Sequence, residues 1–99
     1  MIHEHLKHGA RNAIPVSELC AITGMGERMV REMIERERLD GYLILSGDRG
    51  YFFPDKNPLI AELEVNAWLA MRVITANTLQ RGTMIAQELF RSGEYKTNE

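Results

Sequence analysis

Three arginines are the residues in this chain best suited to recognition chemistry. Arg28 and Arg31 stand in "ERMVREMIERER", and Arg49 stands in the glycine-bounded "GDRG". A guanidinium donates through a planar fork, which matches the O6/N7 edge of guanine and equally a phosphate. The same stretch is rich in acid: between residues 27 and 40, four arginines meet Glu27, Glu32, Glu35, Glu37 and Asp40. It therefore also reads as a solvated helix face laced with i,i+4 pairs such as Glu27–Arg31 and Glu32–Arg36. Glu27 is compatible with DNA, because a carboxylate accepts from cytosine N4. Such acids lower non-specific affinity and flatten its salt dependence. Ser17, at a helix start, could hydrogen-bond phosphate beside free backbone N–H groups, or act only as a cap or first-turn residue. Arg49 fits a phosphate or minor-groove contact. Asp48 beside it weakens the local potential, and turn geometry alone would account for both residues.

Other chemistries find less support. His3, His5 and His8 suggest metal ligation, but "HEHLKH" lacks zincin spacing and no second histidine pair follows. A surface helix is the better reading of these residues. Cys20, the single cysteine, reads as a small buried residue rather than a nucleophile. "GMGERM" lacks the lysine and preceding strand of a phosphate loop. No catalytic residue, metal or cofactor is expected, and the chain is not read as an enzyme.

With 99 residues the chain suits one domain with a modest core, which self-association would supplement. A net charge of -2 argues against a broadly basic nucleic-acid binder but leaves room for a local patch. The lone cysteine fits a reducing compartment. The charged N-terminus has no signal-peptide core, and no apolar run reaches spanning length. A cytoplasmic protein without membrane contact is expected.

The positioning elements follow from punctuation and period. Ile2 to His8 predicts a short helix stopped by Gly9. Pro15 favours the start of the next, which Gly24 ends. Glu27 to Arg38 forms a third, closed by Gly41, with Val30 and Ile34 as its inner stripe. Cys20 takes the crossing position between these two helices, and Met25 points inward from the turn. "YLIL" and "YFF" around "SGDRG" predict a β-hairpin closed by Pro54. Alternation puts Tyr51 and Phe53 on one face and Phe52 on the other. Asn57 caps and Pro58 opens a long helix towards Arg91. Along it Ile60, Leu63, Ala67, Ala70 and Ile74 step as a seam. Trp68 and Met71 lie off that stripe, giving more apolar girth than one small domain buries.

Two helices joined by a tight glycine turn form the helix-turn-helix signature, and the hairpin adds a wing. The lead-in "HGARNAI", the "SELC" helix, "TGM", "RMVREMI" and the closing "GYLILSGDRGYFF" resemble the small winged-helix proteins of prophages and Gram-positive bacteria. They are also similar to the DNA-binding domain of the biotin-operon repressor. The resemblance covers the first half of the chain. It implies a recognition helix over Glu27 to Arg38 in the major groove, with Arg28 and Arg31 matching the family's "RxVR". Two departures stand out. Gly26 replaces a capping serine, and Glu37 replaces an apolar residue, with Leu39 expected to fill that space.

The expected fold is thus mainly α with a small β-hairpin: a winged helix-turn-helix over residues 1–56, a long C-terminal helix over 57–91 and a frayed tail over 92–99. The expected function is binding of double-stranded DNA in a phage or mobile-element setting, in transcription regulation or replication. Arg28, Arg31, Glu27, Arg49 and Ser17 form the contact set. Homodimerisation through Leu63, Ala67, Trp68, Met71 and Ile74 would set two recognition helices on a two-fold operator. The alternative is a winged-helix module that binds protein instead, in a phage replication or packaging assembly.

Overall fold

A computed structural model of the chain describes residues 1–76 and 88–97, leaving aside the side chains of 73–76. Two short 3-10 helices, Ile2–His5 and Ala10–Asn12, precede α1 (Val16–Thr23) and α2 (Glu27–Leu39). A hairpin of β1 (Leu45–Gly47) and β2 (Gly50–Phe52) follows, then α3 (Pro58–Ala76). A further helical stretch covers 88–92. The protein is mainly helical with one small antiparallel hairpin. Among the described residues, no helix is long and apolar enough to cross a membrane.

The helix boundaries obey local chemistry. Pro15 occupies the N-cap of α1 with φ -68°, a value its ring already imposes. Gly24 ends the helix at φ 74°, and its N–H donates to the Cys20 carbonyl at 2.9 Å; a left-handed residue there costs glycine least. Only Gly24–Gly26 separates α1 from α2, and Met25 packs inward from that turn. Val30 and Ile34 are buried together on α2, four residues apart. They join Leu19, Ile44 and Phe53 in the first core cluster, with Cys20 partly buried against it.

The N-terminal segment departs from its expected helix. Only Ile2–His5 turns, as a 3-10 helix, because one turn with few internal bonds cannot sustain an α-helix. The chain then extends beside Phe53: the Phe53 N–H donates to the Lys7 carbonyl and the Gly9 N–H to the Phe53 carbonyl, both at 2.8 Å. The histidines accordingly do not line a surface helix. His3 stacks on Tyr42 at 4.0 Å. His8 Nδ1 pairs with the Pro54 carbonyl at 2.9 Å.

In the hairpin, Leu45 pairs with Phe52 and Gly47 with Gly50, which leaves Asp48 and Arg49 at the tip. Period-two alternation then separates the aromatics. Tyr51 and Phe53 join the first core cluster, and Phe52 turns to a second cluster with Leu43, Leu45, Val65 and Trp68. Of "YLIL" only Leu45 enters the hairpin ladder. The residues before it pair elsewhere: the Leu43 N–H donates to the Lys96 carbonyl at 3.1 Å and the Lys96 N–H to the Gly41 carbonyl at 2.9 Å. Part of the tail expected to fray therefore lies alongside residues 41–43, with Tyr95 packed on the second cluster.

The start of α3 is capped as its sequence implies, with Asn57 Oδ1 accepting from the Leu59 N–H at 3.0 Å. Ala61, Val65 and Trp68 face inward, a three-to-four spacing that covers Phe52. The expected continuation to Arg91 crosses residues 77–87, which lie outside the described residues.

β2 is also clamped from its far side. Ile14 and Tyr51 exchange both backbone hydrogen bonds at 2.9 Å. Gly50, at φ 126°, lies so close that a β-carbon there would collide with the Ile14 carbonyl. Gly50→Ala should therefore lower stability by roughly 2–4 kcal/mol, because steric conflict adds to an unfavourable φ. Gly24→Ala meets only its φ, with open space around it, and should cost about 1–2 kcal/mol. Urea denaturation of the two variants should rank them in that order.

Candidate nucleic-acid interface

The outer face of α2 is set by the burial of Val30 and Ile34 on the opposite side. Arg28 is 93% exposed, and Arg31 projects from the same exposed side. Both are already engaged. Arg31 Nη2 lies 2.6 Å from Glu27 Oε1, and Arg28 Nε lies 3.1 Å from Glu32 Oε1. The Glu27–Arg31 pair matches the spacing in the sequence. Glu32, whose expected partner was Arg36, pairs with Arg28. Exposed i,i+4 pairs contribute only about 0.3–0.5 kcal/mol, so a phosphate or guanine edge competes for these guanidiniums at small cost.

Arg49 projects from the hairpin tip. A cleft of about 260 Å³ runs between the tip, the start of α1 and α2, lined by Pro15, Val16, Arg31 and residues 46–51. Tertiary folding thus brings Arg31 and Arg49, eighteen positions apart in sequence, to one depression with Asp48. Arg28 and Ser17 are not among its lining residues. Ser17 sits exposed in the first turn of α1, where the N-cap residue is Pro15 and no side chain caps the helix.

The end of α2 carries the residues whose roles the sequence concealed. Glu37 is fully buried, at 0% exposure, and Leu39 is exposed. Leu39 does not turn inward as expected; the Glu37 carboxylate takes the buried position. It accepts from the Ile2 N–H at 3.2 Å and the His3 N–H at 2.8 Å, and pairs with His3 Nδ1. The turn at Ile2–His5 leaves its first N–H groups without helical partners, and the carboxylate satisfies them. The clue was periodicity: Glu37 continues the inward stripe of Val30 and Ile34 at i+3.

Arg38, only 4% exposed, points towards the hairpin and α3. Its Nε donates to the Ile44 carbonyl at 2.8 Å, and its Nη1 to Glu35 Oε1 at 2.5 Å. Burial pulls its pKa below the usual guanidinium value; Glu35 opposes that fall and Arg72 adds to it. Arg38 lies 5.0 Å and Arg72 4.8 Å from the centre of the Trp68 ring, within cation–π range. Trp68 Nε1 donates to Ser46 Oγ of β1 at 3.2 Å. α2, the hairpin and α3 therefore meet at one polar-aromatic junction.

The residues expected to form an oligomer interface divide. Leu63 and Met71 are 70% and 60% exposed, and Ala67 is exposed beside them. Trp68 is 4% exposed and belongs to the core, because its ring completes the second cluster. Ile74 lies within α3, but its side chain is outside the described residues. Among the described residues, no group of three or more histidine, cysteine or acidic side chains is placed to hold a metal ion.

No family model matches this chain, and neither the curated proteins nor the solved structures contain a match to it.

Removing one partner of a buried hydrogen-bonded charge is more costly than the net worth of the pair, since the remaining polar groups stay desolvated. Glu37→Ala should destabilise the fold by about 3–5 kcal/mol, read as a lowered urea midpoint. Glu32→Ala, which removes an exposed pair, should change stability by less than about 0.5 kcal/mol.

Proposed function

We propose that this chain is a DNA-binding winged helix-turn-helix protein, with α2 entering the major groove and the hairpin tip on the backbone or minor groove. The observation that carries this reading is the cleft shared by Arg31 of α2 and Arg49 of the hairpin. The order of α1, a three-residue connection, α2 and an antiparallel hairpin supports it, as does the resemblance to prophage and Gram-positive winged-helix proteins. In this reading Arg28 and Arg31 exchange their glutamate partners for base edges or phosphates. The exchange costs little, because each exposed pair contributes only about 0.3–0.5 kcal/mol, and a bidentate base contact adds about 1–3 kcal/mol of discrimination against the wrong base. Glu27 remains available to accept from cytosine N4.

Fluorescence anisotropy of a labelled random duplex at two salt concentrations tests this directly. Binding should tighten at low salt, and Arg31→Ala should weaken it by roughly tenfold, as the loss of one charged contact implies. A protein that binds no duplex at low salt and micromolar concentration would sink the proposal.

A protein-binding module is the second reading, and the glutamate engagement of Arg28 and Arg31 favours it. The two readings share a homodimer. Leu59, Leu63 and Met71 expose one apolar face of α3, and a second copy would cover it while presenting two α2 helices to a two-fold site. Light scattering should give a dimer mass for the parent chain and a monomer mass for Leu63→Glu, which buries a charge in that interface. A monomer mass for the parent at hundreds of micromolar would exclude the dimer.

A further inference from the structure

Arg28, Arg31 and Arg38 of α2 are held by glutamates, but two arginines near the hairpin are not. Among the described residues, the guanidiniums of Arg11 and Arg49 have no ion pair or hydrogen bond. Arg11 lies in the 3-10 helix Ala10–Asn12, far from the recognition helix in sequence. In space it reaches the hairpin from the side opposite Arg31. A second cleft, of about 420 Å³, is lined by Arg11, Gly47, Asp48, Arg49 and Phe52, with Ala10 and Ala13. The two clefts share Gly47, Asp48 and Arg49. Arg49 therefore stands between Arg11 on one flank of the hairpin and Arg31 on the other.

The backbone bearing Arg11 is held in place. The Ala10 N–H donates to Glu64 Oε2 of α3 at 2.8 Å, and Asn12 Nδ2 donates to the His8 carbonyl at 2.9 Å. Gly9 and Ile14, on either side, are hydrogen-bonded to Phe53 and Tyr51. Such anchoring places a long cationic side chain reproducibly and reduces the conformational cost of using it.

We propose that Arg11 is a phosphate-contacting residue, and that the DNA backbone is gripped across the hairpin by Arg11 and Arg49 as well as from α2. This rests on the DNA-binding reading and names the part of the surface that supplies its electrostatic attraction. The partner chemistry is a phosphodiester backbone, because two guanidiniums with unused donors line one cleft, and each can chelate a phosphate; Asp48 beside Arg49 and Glu64, bound to the Ala10 N–H, are the acids they face. Neither arginine must first give up a partner, unlike Arg28 and Arg31. Loss of Arg11 should therefore weaken all duplexes alike, without altering sequence preference.

The test is anisotropy titration of a random duplex by the full chain across a salt series, comparing Arg11→Ala, Arg11→Lys and Arg91→Ala. Arg91 is exposed on the 88–92 stretch, near Pro58 and Glu62 rather than the hairpin, so its loss controls for net charge alone. Arg11→Ala should weaken binding roughly fivefold at low salt and reduce the log–log salt slope by about 0.9. Arg11→Lys should keep the full slope, which counts the charge, but lose the part of the affinity that chelation supplies, and Arg91→Ala should match the parent. If Arg11→Ala titrates like Arg91→Ala while Arg31→Ala weakens binding, the role of Arg11 is overturned and the DNA-binding reading stands. If the parent binds no duplex, both fall together.

Discussion

Glu37 and Arg38 are neighbours at the end of α2, and both side chains have left water. Glu37 turns to the N-terminal segment and gathers the Ile2 and His3 amides. Arg38 turns to the hairpin and α3, binding the Ile44 carbonyl and lying over Trp68. Desolvating two ionic groups contributes little net stability, because burial offsets most of the Coulombic gain. What such groups supply here is direction: a misoriented α2 would strip Glu37 of the Ile2 and His3 amides and leave Arg38 only Glu35 of its own helix. The orientation of α2 relative to the hairpin, on which its outer face depends, follows from that requirement. Apolar contacts by Val30 and Ile34 draw the helix inward but would tolerate more rotation and sliding.

The proposed DNA surface divides into two kinds of cation. On α2, Arg28 and Arg31 are paired with adjacent glutamates, which suits a chain of net charge -2. Arg11 and Arg49 at the hairpin are uncommitted, with Asp48 and Glu64 as the local opposition. A surface of this kind would draw little on diffuse attraction and would depend on close contacts in a defined pose. That pose is the product of backbone bonds, above all the pairing of Ile14 with Tyr51 that seats the N-terminal segment against β2.

α3 has two apolar sides with different fates. Val65 and Trp68 complete the second core cluster against Phe52 and Leu45. Leu59, Leu63 and Met71 lie on the other side in contact with water. Because Trp68 also hydrogen-bonds Ser46 of β1, whatever covers the outer side of α3 is one helix thickness from the hairpin. A dimer formed there would therefore set the spacing of two hairpins through a rigid element.

Much of this was legible locally. Gly24, Pro15 and Asn57–Pro58 punctuate the helices where short-range chemistry says they should, and alternation separated Phe52 from Tyr51 and Phe53. Val30 and Ile34 marked the inner stripe by spacing alone. The sequence by itself determined the order and type of these elements, because caps, φ restrictions and period act within a few residues. It could not name the partners that bury Glu37 and Arg38, which look like two more charges on a charged helix. Their burial depends on amides and a carbonyl thirty-five and six positions away. Nor could it decide which apolar side of α3 meets the core, or that Arg11, Arg31 and Arg49 surround one hairpin. Those outcomes belong to tertiary structure, since they rest on long-range pairing of polar groups that no local pattern specifies.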